Sequence, residues 1–590
     1  LLHRFVNKEL ILFSMADNIR SIPSVVDGFK PSQRKVLFCC FKRNLKVELK
    51  VAQLGGYVSE HSAYHHGEQS LYGTIVNMAQ DFVGSNNVHL LSPNGQFGTR
   101  LMGGKDAASP RYIFTNLEKV TRLIFDARDN DVLKYLDEDG QSIEPEWYIP
   151  VIPMALVNGS DGIGTGWSSS VPNYNPYDII NILRQKIKQE ATSPLIPWYR
   201  GFIGHIVPKP SSKGGSDSQN FLAQGLYEVT DENTLVITEL PVKTWTQTYK
   251  QFLEVLLESG AIKDFKENHT DTKVLFTISM EEKKLRDITN APGGIVKKFK
   301  LETSLSTSNM HLFDAHGHIK KYESPEEILD EFYGIRIDYY HRRKRAILRN
   351  LSDQIKLLSN KTRFVLSVVE GKLIVNNRKK QDLMKELLEE GYDQILPQSG
   401  KPKSTNNGNT SEDDEGDDNI GDVTRGYDYL LSMRIWSLTK ERVESLRAEL
   451  QNREQEYQTL EAKTVEDLWL ADLDVLEAAL RATEEARERV MSRTPTAKKN
   501  GKGRKPAAKR KKRTKKGSDD DDDDDSDFEM EKPKPKKPRT PSKPRAKPAA
   551  KPAAIKEESV ASNKGSAATK EPTSVKESTA AKSGPTATKK

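Results

Sequence analysis

The sequence predicts an α+β multidomain chain with a long paired-helix region and a C-terminal stretch that does not fold. Apolar residues recur at helical spacing in two early segments and, far downstream, at the three-and-four spacing of heptads. Between those regions lie apolar, β-branched runs of strand length. The last part of the chain is rich in Lys, Ala, Pro and Ser and poor in large apolar side chains. At 590 residues the chain exceeds what one hydrophobic core serves, so several domains are expected.

Net charge is +7, but its distribution says more. Residues 1–125 hold 15 Lys+Arg against 9 Asp+Glu, and residues 493–590 hold 29 against 14, which leaves 126–492 at −14. An early basic region and a late polyelectrolyte tail suit nucleic acid, though charge alone does not separate DNA from RNA or from acidic protein. No run of about eighteen apolar residues occurs, so no membrane span is expected. The two cysteines, Cys39 and Cys40, are adjacent and cannot staple distant segments, which fits a reducing, intracellular compartment. The chain opens on Leu without a secretory leader and reads as a fragment whose beginning is missing.

Residues 31–44 are expected to be helical: Pro31 suits the first helical position, and Val36, Leu37, Cys40 and Phe41 share a face. Residues 67–82 give a second helix that buries Leu71, Ile75, Met78 and Phe82. Two short helices followed by Gly-punctuated strands, with turns such as Pro93-Asn94-Gly95, form the pattern of a winged-helix DNA-binding domain. From about 190 to 320 the pattern is mixed, with strands at 234–240 and 273–280 around a helix near 246–258. Leu348, Leu351, Ile355, Leu358, Thr362, Val365 and Val369 then trace a heptad seam. Val443, Leu446, Leu450, Tyr457 and Leu460 repeat it, with a gap at Arg453, so the two segments are expected to pair as an antiparallel coiled coil. The acidic stretch 398–422 between them is expected to be disordered, and the segment 427–438 carries more aromatic and aliphatic residues than one seam needs, which the residues alone allow to be local core. Beyond about Ser492 folding is expected to stop; there a basic cluster at 509–513 suits nuclear import and seven aspartates fill 519–525.

The most informative stretch is 95–112, GQFGTRLMGGKDAASPRY. It sets Arg111 beside Tyr112 behind a loop of glycines and small residues, with Arg100 and Lys105 adding positive charge. A tyrosine beside an arginine, where a phosphodiester can approach, is what transesterification needs. The phenol attacks phosphorus and the guanidinium stabilises charge that builds on the phosphoryl oxygens. Alone, an Arg-Tyr dipeptide is usually a surface or packing feature.

Its neighbours change that weight. IPSVVDGFKPSQRKVL (22–37), AYHHGEQSL (63–71), FVGSNN (82–87), the 95–112 run and EPEWYIPVIPMALVNGSDGIGTGWSS (144–169) follow one another in that order. Together they resemble the DNA breakage-reunion region of eukaryotic type IIA DNA topoisomerases, from about Phe5 to about Leu480. The resemblance implies a winged-helix breakage-reunion domain over 1–188 and an α/β tower domain over 189–320. It further implies a long antiparallel coiled coil with a C-gate over 321–491, a disordered loop at 397–424 within it, and a disordered tail over 492–590.

It also implies roles for residues. Tyr112 would be the nucleophile, and a free phenol, with a pKa of about 10, needs help to lose its proton. Arg111, Arg34 and His66 would supply that setting, Arg111 on the pentacovalent phosphorus and His66 as a phosphate donor or a proton acceptor. His66 stands just before a helix start, where free N–H groups and the helix dipole attract anions. Lys30, Tyr64 and Ser70 match positions that contact the DNA backbone, contacts that place the duplex without reading its sequence. Ile163, between Gly162 and Gly164, matches an isoleucine that wedges between base pairs and kinks the duplex. The ordinary alternatives are a solvated Lys30, a structural His66 and an Ile163 packed beneath a tight loop. Adjacent histidines rarely aim at one ion, so His61, His65, His66 and Glu68 do not read as a zinc site, and no metal ligand is named.

The implied function is that of a type II DNA topoisomerase, which cuts both strands of one duplex, passes a second through and reseals the break. Its partners would be double-stranded DNA and a second copy of the chain, met at the coiled-coil tip and the winged-helix region; its place would be the nucleus. The Glu-Gly-Asp-Ser and Asp-x-Asp metal module and the ATPase motifs of the family do not occur, and Asp137-Glu138-Asp139 follows the tyrosine, as a surface turn. Mg2+ and ATP are therefore expected in the complete enzyme, on modules outside this chain, and the chain alone is expected to bind DNA and dimerise but cleave poorly. The rivals are a non-catalytic chromatin architectural protein and a tyrosine recombinase, whose tyrosine lies late in a helical domain, unlike Tyr112. Phosphorylation of Ser518 and Ser526, which flank the aspartates, is expected to weaken tail–DNA attraction. Salt-dependent DNA binding that is the same with and without phosphate would sink that expectation.

Overall fold

The computed structural model describes residues 2–210, 220–375, 378–395, 426–434 and 439–492. The acidic stretch 398–422, residues 435–438, the basic cluster, the aspartate run, Ser518 and Ser526 lie outside the described residues. The fold is mixed α and β.

Pro31 begins a helix that runs Pro31–Lys42, and Gln33 Oε1 accepts the Lys30 N–H at 2.9 Å to close its first turn. Val36, Leu37, Cys39 and Cys40 are buried, and burial pushes the Cys39 thiol up to about 12. The second expected helix runs Glu68–Ala79 over Leu71, Ile75 and Met78, and Phe82 beyond its end is only partly buried. A third helix, Val51–His61, lies between them. Gly55 and Gly56 mask its period in the sequence; a Cβ on Gly55 would come within 2.4 Å of the Tyr72 ring, so close helix packing requires the glycine. The strand next to these helices is one short antiparallel ladder, Leu49–Lys50 with Phe114–Thr115, and two hairpins follow, Tyr135–Glu138 with Gln141–Pro145 and Ser160–Ile163 with Ser168–Val171.

This core is completed from far downstream. The hairpin Met310–Phe313 with Ile319–Tyr322, the first part of the Pro325–Val369 helix and the Val465–Ser492 helix contribute Met310, Leu312, Phe332, Tyr340, Trp469 and Leu473. The Trp469 indole is fully buried between Tyr333 and Tyr340, with centroids 5.3 and 5.4 Å away, and donates to the Val151 carbonyl at 3.1 Å. Beside it lies a charged node. Asp129 accepts from Arg336 (3.0 Å) and Arg343 (2.6 Å), while Asp472 accepts from Arg343 (2.6 Å), Arg128 (2.7 Å) and the Tyr340 hydroxyl (2.9 Å).

A second core belongs to an antiparallel sheet ordered Asp264–Glu267, Phe276–Ser279, Thr234–Glu239, Leu226–Asp231. Leu235, Ile237, Phe276 and Ile278 alternate toward Tyr249 and Leu253 of the Thr246–Glu258 helix, whose limits coincide with the sequence expectation. A three-stranded sheet of Glu302–Ser306, Asn220–Gln224 and His205–Pro208 adjoins it.

The heptad seams pair as expected. Pro325–Val369 is one 45-residue helix, capped by the Ser324 hydroxyl. Lys440–Ala462 packs along it in the opposite direction: Lys344 donates to the carbonyls of Glu461 (3.0 Å) and Lys463 (2.6 Å), whereas Phe364 and Val365 share a core with Val443 and Leu446. Arg453, at the gap in the seam, faces solvent. At the far end Tyr427 and Leu430 are buried with Leu383, Leu387 and Tyr392, so this part of the aromatic segment is local core. No helix among the described residues is long and apolar enough to cross a membrane.

Replacing Trp469 by Ala is expected to cost about 3–5 kcal/mol, the usual loss for a buried large aromatic. Replacing Val475, 56% exposed on the same helix, is expected to stay within about 0.5 kcal/mol in parallel chemical denaturation.

Candidate active site

The loop 95–112 is held from several sides. Asp106 accepts the Thr99 N–H (2.9 Å) and hydroxyl (2.6 Å), and Gln80 donates to the Phe97 carbonyl at 2.9 Å. Gly103 has a positive φ of 63° and lies against the Trp245 indole, where a Cβ would come within 2.3 Å. The next backbone groups bond across to the second core: Thr246 N–H to the Arg100 carbonyl (3.4 Å) and Gln247 N–H to that of Leu101 (3.0 Å). Arg100 itself is buried and paired with buried Glu239, with side chains 5% and 3% exposed. Of the two cations that the sequence adds to this loop, Arg100 is therefore occupied inside the protein, while Lys105 is exposed.

Arg111 and Tyr112 stand out from this scaffold, with Tyr112 71% exposed. Their turn also caps a helix. The Pro110 and Ile113 carbonyls accept the N–H groups of Ala52 and Val51, both at 3.0 Å, which satisfies the first donors of the Val51–His61 helix. The Tyr112 N–H donates to the Ser109 carbonyl at 2.9 Å, so the backbone on both sides of the phenol is fixed while the phenol is not. The Arg111 guanidinium lies 6.0 Å from the Tyr112 ring centroid.

Arg34 is positioned by a carboxylate that sequence reasoning missed. Asp27, fully buried, accepts from Arg34 Nε (2.7 Å) and Nη2 (3.1 Å) and from the N–H groups of Phe29 and Tyr148 (both 3.0 Å). The signal was present: Asp27 interrupts an apolar run seven residues before Arg34. His66 is exposed beside Gly67, which takes φ 84° to enter the Glu68–Ala79 helix, and the Tyr64 ring meets it edge-on at 5.6 Å. Tyr64 is buried, whereas Ser70 is exposed in the first turn of that helix. His65 pairs with Glu138 at 3.2 Å and His61 stacks on Tyr57 at 4.0 Å.

Lys30 and Lys243 converge on Asp161. Lys30 Nζ donates to the Asp161 carbonyl (2.9 Å), and Lys243 Nζ and the Ser170 hydroxyl donate to its carboxylate (2.6 and 2.8 Å). Burial pulls the Lys30 ammonium below its ordinary range and Asp161 opposes the shift. A cavity of about 380 Å³ opens beside them, lined in part by Gln33, Thr74 and Asn77. Two residues past Asp161, Ile163 is 84% exposed at the end of a hairpin strand, so the packed alternative does not hold. The structure therefore brings together Arg111 with Tyr112, Tyr64 with His66, and Lys30 with Asp161. Among the described residues no hydrogen bond or ion pair joins Arg34 or His66 to Tyr112, and no three His, Cys, Asp or Glu side chains gather as a metal site. No magnesium ligand is assigned to this chain.

The A subunit of DNA gyrase/topoisomerase IV is the family that residues 20–474 match, and the chain belongs to that family. Among individual relatives, DNA topoisomerase 2 of Arabidopsis thaliana is 48% identical over 489 residues, which is 81% of this chain and 33% of that protein. DNA topoisomerase 2-beta of Gallus gallus is 48% identical over 496 residues, 82% of this chain and 30% of that protein. The crystal structure of the Plasmodium falciparum topoisomerase II DNA-binding, cleavage and re-ligation domain superposes with a TM-score of 0.72 at 45% identity, covering 82% of this chain and 65% of that one. The eukaryotic type II resemblance read from the five motifs is thus borne out, and the chain spans about a third of the length of the curated relatives it matches.

Removing the Glu239 carboxylate leaves the Arg100 charge buried without its partner. Glu239→Ala is expected to cost about 3–5 kcal/mol, and the double change Arg100→Met with Glu239→Leu to recover most of that, as read by thermal melting.

Proposed function

We propose that the chain is the DNA-cleaving part of a type II DNA topoisomerase. The observation that carries this reading is the exposed Tyr112 beside Arg111, on a turn whose backbone is pinned on both sides. The Tyr112 oxygen attacks a backbone phosphorus, the bond from phosphorus to the 3′ oxygen breaks, and that oxygen leaves as a hydroxyl with a proton. The tyrosine then carries the 5′ phosphate. Resealing is the reverse attack by the 3′ hydroxyl, so the phosphodiester energy is kept throughout.

Arg111 stabilises the charge on the pentacovalent phosphorus, and Arg34, oriented by Asp27, adds a second guanidinium. His66 donates to the phosphate or accepts the phenol proton. Lys30 and Ser70 place the duplex backbone, Tyr64 steadies His66 through its ring, and Ile163 enters the base stack and bends the duplex. On this reading the three early helices with their short ladder form a winged-helix domain, the second core is the tower, and the paired helices end in a C-gate. Two copies, joined there and near the winged helix, cut opposite strands, let a second duplex through and close again. The setting is the nucleus. Among the described residues no three His, Cys, Asp or Glu side chains gather to hold a metal ion, and Mg2+ and ATP are assigned to other parts of the complete enzyme.

The test is adduct trapping under denaturing conditions with supercoiled plasmid and Mg2+, using the chain joined to the flanking segments that its longer relatives carry. Wild type is expected to yield protein on the DNA 5′ ends and Tyr112→Phe none. A folded, DNA-bound wild-type dimer that leaves no adduct would make the chain an architectural DNA-binding protein.

A further inference from the structure

We propose that Asp17 and Asn18 are positioning residues for the DNA wedge: the helix Ile11–Ser21 sets the place of Ile163 and thereby the bend imposed on the duplex. This rests on the reading of Ile163 as the inserted side chain.

Ile163 ends the strand Ser160–Ile163, which pairs with Ser168–Val171 in a hairpin whose register sets Ile163 opposite Ser168. The tip between them is Gly164-Thr165-Gly166-Trp167, closed by the Gly164 N–H on the Trp167 carbonyl at 2.9 Å. Two glycines in four residues give this tip little stiffness of its own. Being exposed, Ile163 takes no support from surrounding side chains, so its place is inherited from the backbone beneath it.

That backbone is held at two ends by different elements. The root is pinned through Asp161 by Lys30, Lys243 and Ser170. The tip rests on the helix. Thr165 Oγ1 donates to Asp17 Oδ2 at 2.9 Å, and Asn18 Nδ2 donates to the Thr165 carbonyl at 3.2 Å. The two surfaces lie flush: a Cβ on Gly162 would come within 2.2 Å of the Ser21 carbonyl oxygen, and one on Gly164 within 2.2 Å of Asn18 Oδ1. Asn18 Oδ1 is buried there with no hydrogen-bond partner among the described residues, an unfavourable placement that the close approach imposes. The Thr165 hydroxyl first, and Arg20 next, hold the Asp17 carboxyl below its usual range, so it stays an ionised acceptor. A further contact at the tip is His311, edge-on to Trp167 at 5.3 Å.

Unstacking a base step opposes insertion, and the force returns through Ile163 to the tip. A glycine tip without the helix behind it would yield, and the duplex would be bound but straighter.

The test uses the full chain and an end-labelled DNA duplex, with energy transfer between the ends reporting the bend and anisotropy reporting binding. Wild type is expected to give a high-transfer population that Ile163→Ala loses. Asp17→Ala and Thr165→Val are expected to lose it too while still binding the duplex, and Thr165→Ser, which keeps the hydroxyl, to retain it. Wild-type bending in both Asp17→Ala and Thr165→Val, with Ile163→Ala defective, would overturn the positioning role and leave the wedge intact. Loss of the bend in Thr165→Ser would overturn the assignment to the hydroxyl. Bending unchanged in Ile163→Ala would overturn the wedge reading and this proposal together.

Discussion

The Arg100–Glu239 ion pair is the constraint on which the site depends. It joins the loop that presents Tyr112 to a sheet that has its own hydrophobic core, and it does so where both charges are dry. Two buried charges are costly to desolvate and are held only when geometry and further hydrogen bonds compensate. Here the Leu240 N–H also donates to Glu239 at 2.9 Å, and the Trp245 ring seals the contact against Gly103. An apolar contact could join the two units but would leave their angle loose. A guanidinium fork on a carboxylate fixes direction as well as distance.

A second theme is the use of carboxylates as internal anchors for cations that the sequence shows only as positive charge. Asp27 directs Arg34, the Asp161 carboxylate holds Lys243 while its backbone carbonyl takes Lys30, and Asp129 with Asp472 fixes Arg336 and Arg343. Each anchor leaves its cation oriented and partly neutralised. On the proposed function, a DNA phosphate meeting Lys30 would find its ammonium already placed at Asp161, so binding there would need little side-chain ordering.

Much of the fold was legible because its periods are local. Pro31 announced its helix, the 246–258 helix and the 234–240 strand carried clean patterns, and the seams held even to the gap at Arg453. The Val51–His61 helix was hidden by its paired glycines, of which Gly55 answers to Tyr72, a residue on another helix. The burial of Arg100 was hidden for a similar reason: its partner stands 139 residues away, and nothing in a glycine-rich loop marks an arginine as buried. At the site, the exposure of Tyr112 and Ile163 follows from small neighbours and tight turns, which sequence displays. The support beneath them, Asp27 under Arg34 and Asp17 under Thr165, is made by tertiary contact, which it does not.

The 45-residue helix that starts in the first core also leaves it, since its far half belongs to the paired-helix region. At 1.5 Å per residue it runs about 39 Å beyond Arg343, so a tilt of about 3° there carries the tip roughly 2 Å. The Asp129 and Asp472 node, where the helix leaves the first core, is therefore placed as the fulcrum of a lever. Small changes of angle among three arginines and two carboxylates are enlarged at the distant end, and strain at that end returns to the node with the same leverage.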